Sequence, residues 1–180
     1  CQNGTTITSG DYNLQFVVDE SGSFGSTNYL MTLDFIETLV DNGVINPYPT
    51  LLSFFSFATN VYQQHSFDDA QNDARAAFTA ALGDSFTGGR TSTGEAMEAV
   101  LNDFISSSSV SPGDDNIIIL LTDGVANEGF LPCDGSADAL ALAANIALYN
   151  IRVITVAIGS FDQTTIACLS SAADTFEIEF

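Results

Sequence analysis

The chain has 180 residues, 46% of them hydrophobic with 14 Phe and 5 Tyr, which suffices for one well-buried domain and is short for two. Its 23 acidic residues stand against three arginines (Arg75, Arg90 and Arg152) and no lysine, a net charge of −20 that repels nucleic acid and anionic membrane surfaces. No uninterrupted apolar run approaches the roughly 20 residues needed for direct insertion across a bilayer, and no basic stretch precedes an apolar segment as in a targeting peptide.

Such acidity suits solubility in a salty or cation-rich medium, and it also suits attraction of divalent cations or basic partners. In chain order, residues 1–11 are polar and turn-rich and read as a lead-in to a single domain. Tyr12 to Val18 then reads as a buried parallel strand, because Leu14 to Val18 is almost continuously apolar. It runs into Asp19-Glu20-Ser21-Gly22-Ser23, after which Tyr29, Leu33, Ile36 and Val40 recur at helical spacing up to a stop at Asp41-Asn42-Gly43. Asn46-Pro47-Tyr48-Pro49 breaks the chain before a second strand, Leu51 to Ala58. A tight connection near Asn60 leads to Val61 to Phe67, whose weaker alternation predicts an antiparallel edge strand. His65 on that strand is expected to be a surface or packing residue.

Ala70, Ala74, Ala77, Phe78 and Ala81 outline a short helix, followed by a glycine-rich loop from Gly83 to Gly94. The next helix is predicted to present Met97, Val100, Leu101, Phe104 and Ile105 on one face. After a serine-rich surface connection from Ser106 to Gly113, Ile117 to Leu121 forms a second buried strand that ends in Thr122-Asp123-Gly124. Residues 125–136 read as a loop, Leu140, Ala144 and Leu148 as the mark of a helix, and Val153 to Ile158 as a further strand. A short helix over Thr165 to Ser171 and a strand over Phe176 to Phe180 close the chain. Strands alternating with helices predict a doubly wound α/β fold, Rossmann-like, with a mostly parallel six-stranded sheet, one antiparallel edge strand and helices on both faces.

Cys1, Cys133 and Cys168 have neither zinc-ligand spacing nor a Cys-x-x-Cys pattern. In an oxidising compartment Cys133 and Cys168 are expected to form a bridge, leaving Cys1 to pair elsewhere in a larger chain; reduced, buried thiols are the alternative. Asn3-Gly4-Thr5 is a glycosylation acceptor triplet.

Oxygen ligands gather at strand ends: Asp19, Ser21 and Ser23 in the first loop, Thr91 in the second and Asp123 in the third. In an open α/β sheet, ligands bind in the crevice at the carboxyl ends of the strands, so these residues converge although they span over half the chain. Hydroxyl and carboxylate oxygens are hard donors suited to Mg²⁺, Mn²⁺ or Ca²⁺ rather than zinc or copper. Thr87 and Thr93 share the second loop with Thr91, which is preferred because it follows Gly89-Arg90 and begins a helical pattern. Taken singly, Asp-x-Ser-x-Ser is an ordinary helix N-cap and Thr-Asp-Gly an ordinary turn. Arg90 either holds the loop through a salt bridge or meets a ligand.

The ordered set of Asp19-x-Ser21-x-Ser23, Gly89-Arg90-Thr91 and Thr122-Asp123-Gly124 resembles the von Willebrand factor type A domain, and the resemblance covers nearly the whole chain. It implies a metal-ion-dependent adhesion site, with Ser21, Ser23 and Thr91 as hydroxyl ligands and Asp19 and Asp123 acting directly or through water. It further implies an adhesion or binding module whose protein or extracellular-matrix ligand supplies an acidic side chain, and sometimes a switch by movement of the last helix. A structural or assembly domain of a matrix or cell-surface protein is the alternative. Catalysis is not expected: the chain has no lysine to hold a phosphoryl group, no phosphate-binding Gly-x-x-x-x-Gly-Lys motif and a single histidine remote from these loops. The acidic surface, the glycosylation triplet and a disulfide point to an extracellular location, secreted, in a matrix or on a cell surface.

Overall fold

A computed structural model of the chain describes residues 12–41, 50–71, 76–77, 80–81, 86–111, 113–124, 126–159, 161, 170 and 175–178. β1 (Tyr12–Asp19) is the central strand, and its Phe16, Val17 and Val18 are fully buried. It pairs in parallel with β2 (Leu51–Phe57) on one side and β4 (Asp115–Thr122) on the other, with Asp19 opposite Phe57 and Val18 opposite Leu121. β3 (Val61–His65) lies antiparallel against β2 at one edge, through a register shift between Phe54 and Phe55. β5 (Ile151–Ile158) is parallel to β4, and β6 (Thr175–Ile178) adds parallel to β5. The strand order β3-β2-β1-β4-β5-β6 therefore reverses direction at β1, and the crevice at the carboxyl ends of β1 and β4 is the switch point of the sheet.

Both faces are covered, which is why the central strands are apolar on both sides. On one face α1 (Ser26–Asp41) packs Tyr29, Leu33 and Ile36 onto Leu14, Phe16, Val18, Leu52 and Phe54. On the other, α2 (Thr93–Ser106) sets Met97, Val100, Leu101 and Phe104 against Val17, Phe55, Phe57, Ile118 and Leu120, and α3 (Ala137–Leu148) adds Leu142. Each such side chain contributes about 1.5–3 kcal/mol on burial, so the two cores hold the sheet from both sides.

Two predicted faces are corrected. Ile105 is 41% exposed rather than part of the α2 core face. In α3 the expected marker residues Leu140 and Leu148 are 63% and 73% exposed, Ala144 is exposed too, and the buried pair is Ala139 and Leu142. A helix made almost wholly of Ala and Leu carries more than one apolar stripe, and the sheet takes the one whose small Ala139 permits close approach. His65 is buried at 4% exposure, its Nδ1 3.8 Å from an Asp69 carboxylate oxygen, so it is a packing residue and not a surface one. Cys133 is disulfide-bonded. Its expected pairing with Cys168, the lead-in with Cys1 and Asn3, Asn42-Gly43, the Asn46–Pro49 break, Ala74 and Phe78, and most of the 165–171 helix lie outside the described residues.

Candidate functional site

Asp19 is the last residue of β1 and is fully buried. Its Oδ1 accepts the Ser21 N–H at 2.8 Å, a local turn that folds the loop back over the strand end. The Glu20 N–H donates to the Phe57 carbonyl at 2.8 Å, continuing the β1–β2 ladder one residue further, and buried Phe24 anchors the loop beneath. The Ser21 and Ser23 hydroxyls lie 3.1 Å apart. Gly25 at φ 80° then turns the chain into α1.

The second loop is bound to the first and to the β2–β3 turn. Gly22 N–H donates to the Gly89 carbonyl at 2.9 Å, and a Cβ on Gly22 would stand only 3.3 Å from that oxygen. Gly89 has φ 107°, and a Cβ there would meet Thr59 Oγ1 at 2.7 Å, so glycine is required for both conformation and space. Thr59 Oγ1 accepts the Arg90 N–H at 3.0 Å, and Ser92 N–H donates to the Ala58 carbonyl at 3.0 Å. Thr91 is fully buried, yet its hydroxyl has no partner among the described residues. Thr87, by contrast, is exposed and its hydroxyl donates to the Gly88 carbonyl at 3.4 Å; the Thr93 hydroxyl is buried and also without a partner among the described residues, but it sits in the first turn of α2 rather than in the loop tied to Asn127.

The third loop completes the ring. Thr122 donates its hydroxyl to Asp19 Oδ2 at 2.6 Å and accepts the Gly124 N–H at 2.9 Å. Asp123 beside it is buried. Asn127 Oδ1 accepts the Thr91 N–H at 3.0 Å, and the Thr91 carbonyl accepts from the N–H groups of Asn127 at 3.1 Å and Glu128 at 3.3 Å. The three loops are thus tied pairwise: first to third by Asp19–Thr122, first to second by Gly22–Gly89, second to third by Thr91–Asn127. Thr91 is held by its backbone from both sides, and its side-chain oxygen is left uncommitted. Arg90 donates to Glu128 at 2.7 Å, so of its two expected roles the loop-holding ion pair is formed.

Burial pushes the Asp19 carboxyl up from its ordinary 3.8 to about 6, against the pull of the Thr122 and Ser21 hydrogen bonds, and repulsion from Asp123 adds to the rise. Among the described residues no opposite charge stands beside this carboxylate. Its oxygens take hydrogen bonds from the Thr122 hydroxyl and from the Ser21 N–H and hydroxyl and retain acceptor capacity, and the Ser21, Ser23 and Thr91 hydroxyls add neutral oxygens. This donor set fits a hard divalent cation. Among the described residues no three His, Cys, Asp or Glu side chains converge as an alternative metal site.

Sequence reasoning missed the residues that tie the loops together: Asn127 and Glu128, in a loop without periodicity, and Thr59. The Thr122 hydroxyl was within the Thr-Asp-Gly motif, but only the register of β1 against β4 shows that it faces Asp19.

A family model for the von Willebrand factor type A domain matches residues 13–179. Among solved structures the chain is similar to proximal thread matrix protein 1 from the mussel byssus, with a TM-score of 0.75 at 20% identity over 94% of this chain and 42% of that one. A second crystal form gives a TM-score of 0.72 at 21% identity, covering 94% and 41%. A form described as having a zinc-occupied MIDAS motif, the metal-ion-dependent adhesion site, gives 0.74 at 20% identity, covering 94% and 41%. The likeness at this identity is one of fold, and the chain spans about two fifths of the length of those solved proteins.

Proposed function

The chain belongs to the von Willebrand factor type A domain family, whose members generally mediate metal-dependent protein binding or assembly, and we propose that it is an extracellular, non-enzymatic binding module of this kind. Asp19, Ser21, Ser23, Thr91 and Asp123 hold a divalent cation, directly or through water, and a protein or matrix ligand supplies a carboxylate. The observation that carries this reading is the uncommitted Thr91 hydroxyl, buried in a loop cross-tied to the loops of Asp19 and Asp123. A buried hydroxyl with no partner costs about 1–3 kcal/mol, and an ion is the partner that this ring of oxygen acceptors accommodates.

When bound, the ion supplies an electrophilic position at which a ligand carboxylate can displace water. The chain's own residues set up that exchange. Three of the five residues offer neutral hydroxyls, so much of the cation's charge would stay available to an incoming anion. The Thr122 hydroxyl and the Ser21 N–H fix the Asp19 carboxylate, and Asn127 and Glu128 fix Thr91, so the site need not reorganise on binding.

Mg²⁺, Mn²⁺ and Ca²⁺ suit the donors, and the zinc-occupied motif of the mussel protein adds Zn²⁺ to the ions worth titrating. The test is calorimetric titration of the chelator-treated domain with each ion, beside a folded Asp19→Ala/Ser21→Ala variant. Saturable one-site binding that the variant loses is the expected result. Weak, many-sited binding shared by the variant would mean that the acidic surface merely collects cations. Capture of carboxylate-bearing matrix proteins that chelation abolishes, with the fold intact, separates adhesion from a purely structural ion.

A further inference from the structure

A net charge of −20 opposes the approach of an acidic ligand, and the loops around the site add Asp19, Glu20 and Asp123. Arg75 lies outside the described residues, and Arg152 is the second residue of β5, at the end of the sheet opposite the site. Among the described residues Arg90 is therefore the cationic side chain at this rim, next in sequence to Thr91 and 69% exposed. Its guanidinium gives one hydrogen bond, Nη1 to Glu128 Oε2 at 2.7 Å, and most of its donors remain uncommitted among the described residues. Glu128 is itself 38% exposed, and exposed pairs of this kind shift an equilibrium by no more than about fivefold. The pair is a latch that an arriving carboxylate can share or replace. Its backbone is fixed where it matters, since the Arg90 N–H is held by Thr59 and the Glu128 N–H by the Thr91 carbonyl.

We propose that Arg90 is a specificity-determining residue that selects peptide ligands carrying two neighbouring carboxylates, one for the ion and one for the guanidinium. This rests on the reading of the site as a carboxylate-accepting cation site. Arg suits the role because its planar fork matches a carboxylate, and because a rim charge acts mainly on partner choice and association rate.

The test uses bead-bound peptides with one Glu or with two Glu separated by a glycine, and the domain at saturating Mn²⁺ for every variant, so that changes in metal affinity drop out of the comparison. Either Glu can reach the ion, so statistics alone give about a twofold preference for the two-Glu peptide; Arg90 should raise the ratio to roughly five- to tenfold. Arg90→Gln should return it to about twofold, and Arg90→Lys should keep part of the excess as a point charge. A merely structural Arg90 would weaken both peptides together and leave the ratio unchanged, which would overturn the inference. So would chelator-sensitive binding with the same ratio in wild type and Arg90→Gln, or saturable Mn²⁺ binding without any chelator-sensitive peptide capture. Absence of saturable Mn²⁺ binding would instead sink the site itself, and this inference with it.

Discussion

Replacing Asp19 by Asn should stabilise the metal-free domain at neutral pH while removing its metal binding. Burial raises the folded-state pKa from 3.8 to about 6, a difference of about two units, or up to about 3 kcal/mol. Because the folded pKa is the higher one, the contribution of this group to stability is fully present below about pH 4 and is lost as pH rises through about 6. Asn removes the cost of the charge, keeps an oxygen for the Ser21 N–H and deprives the Thr122 hydroxyl of its acceptor, so a net gain of roughly 1–2 kcal/mol at pH 7 is expected. At about 2–4 °C per kcal/mol for a domain of this size, the variant should melt a few degrees higher at pH 7, and the gain should vanish near pH 4. Mg²⁺ at about a hundred times its Kd adds about 2.7 kcal/mol to the wild type alone and reverses the order. The proton and the ion compete for the same carboxylate, so wild-type affinity should fall about tenfold between pH 7 and pH 5. The assays are thermal unfolding with chelator or Mg²⁺ across this range and calorimetric titration at its ends. An Asn variant that is less stable at pH 7, or a metal affinity unchanged down to pH 5, would refute the reasoning.

Thr91→Val removes a buried hydroxyl that has no partner among the described residues and keeps the side-chain shape, so the metal-free melting temperature should hold or rise while metal affinity falls by about tenfold or more, read by calorimetry. The α3 face is checked by a pair of truncations followed by denaturant unfolding. Leu142→Ala should cost about 2–4 kcal/mol, and Leu140→Ala, at a position 63% exposed, about 0.5 kcal/mol or less. Equal losses would mean that the buried face is assigned wrongly.

What the sequence discloses here follows from how much a stretch constrains itself. The strands of the sheet centre were readable because burial on both faces writes a continuous apolar run, as in Phe16 to Val18 and Ile117 to Leu121. The strand-end loops were readable because the carboxylates and hydroxyls recur where the topology brings strand ends together. The buried face of α3 was not, since Leu140, Ala144 and Leu148 keep helical spacing as well as Ala139 and Leu142 do, and the choice belongs to the sheet beneath. Nor were the cross-loop bonds readable: that Asn127 clasps Thr91 and Thr59 receives Arg90 depends on pairings 36 and 31 residues apart. Such contacts follow from the fold and leave no local period.

The same face of β1 carries two buried polar environments that differ in one respect. Four residues before Asp19, Gln15 reaches the carboxylate of Asp103 on α2 at 3.1 Å, and Gln63 and Ser66 approach that carboxylate at 2.8 and 2.9 Å. Ser53 lies 2.8 Å from it and shares its one hydroxyl hydrogen between Asp103 and the His65 carbonyl at 2.9 Å. Here the chain encloses a carboxylate in donors of its own. Around Asp19 the donors come from only two residues, Thr122 and Ser21, with a second carboxylate nearby, the Ser21 and Ser23 hydroxyls 3.1 Å apart and a threonine hydroxyl with no partner among the described residues. The first arrangement ties α2 to the β2–β3 edge and surrounds the Asp103 carboxylate with donors, although Gln15 Oε1 has no partner among the described residues; beside the second, the described residues place no positive charge. The two aspartates should therefore respond oppositely to the same substitution. Asp103→Asn turns a fully used acceptor into a group that must also donate among donors, and should lower stability by about 1–3 kcal/mol while metal affinity stays within about twofold. Asp19→Asn should raise metal-free stability and abolish metal binding. If Asp103→Asn proved as damaging to metal affinity as Asp19→Asn, the strand would carry one coupled polar network, and the ion would be a structural part of it rather than the seat of ligand binding.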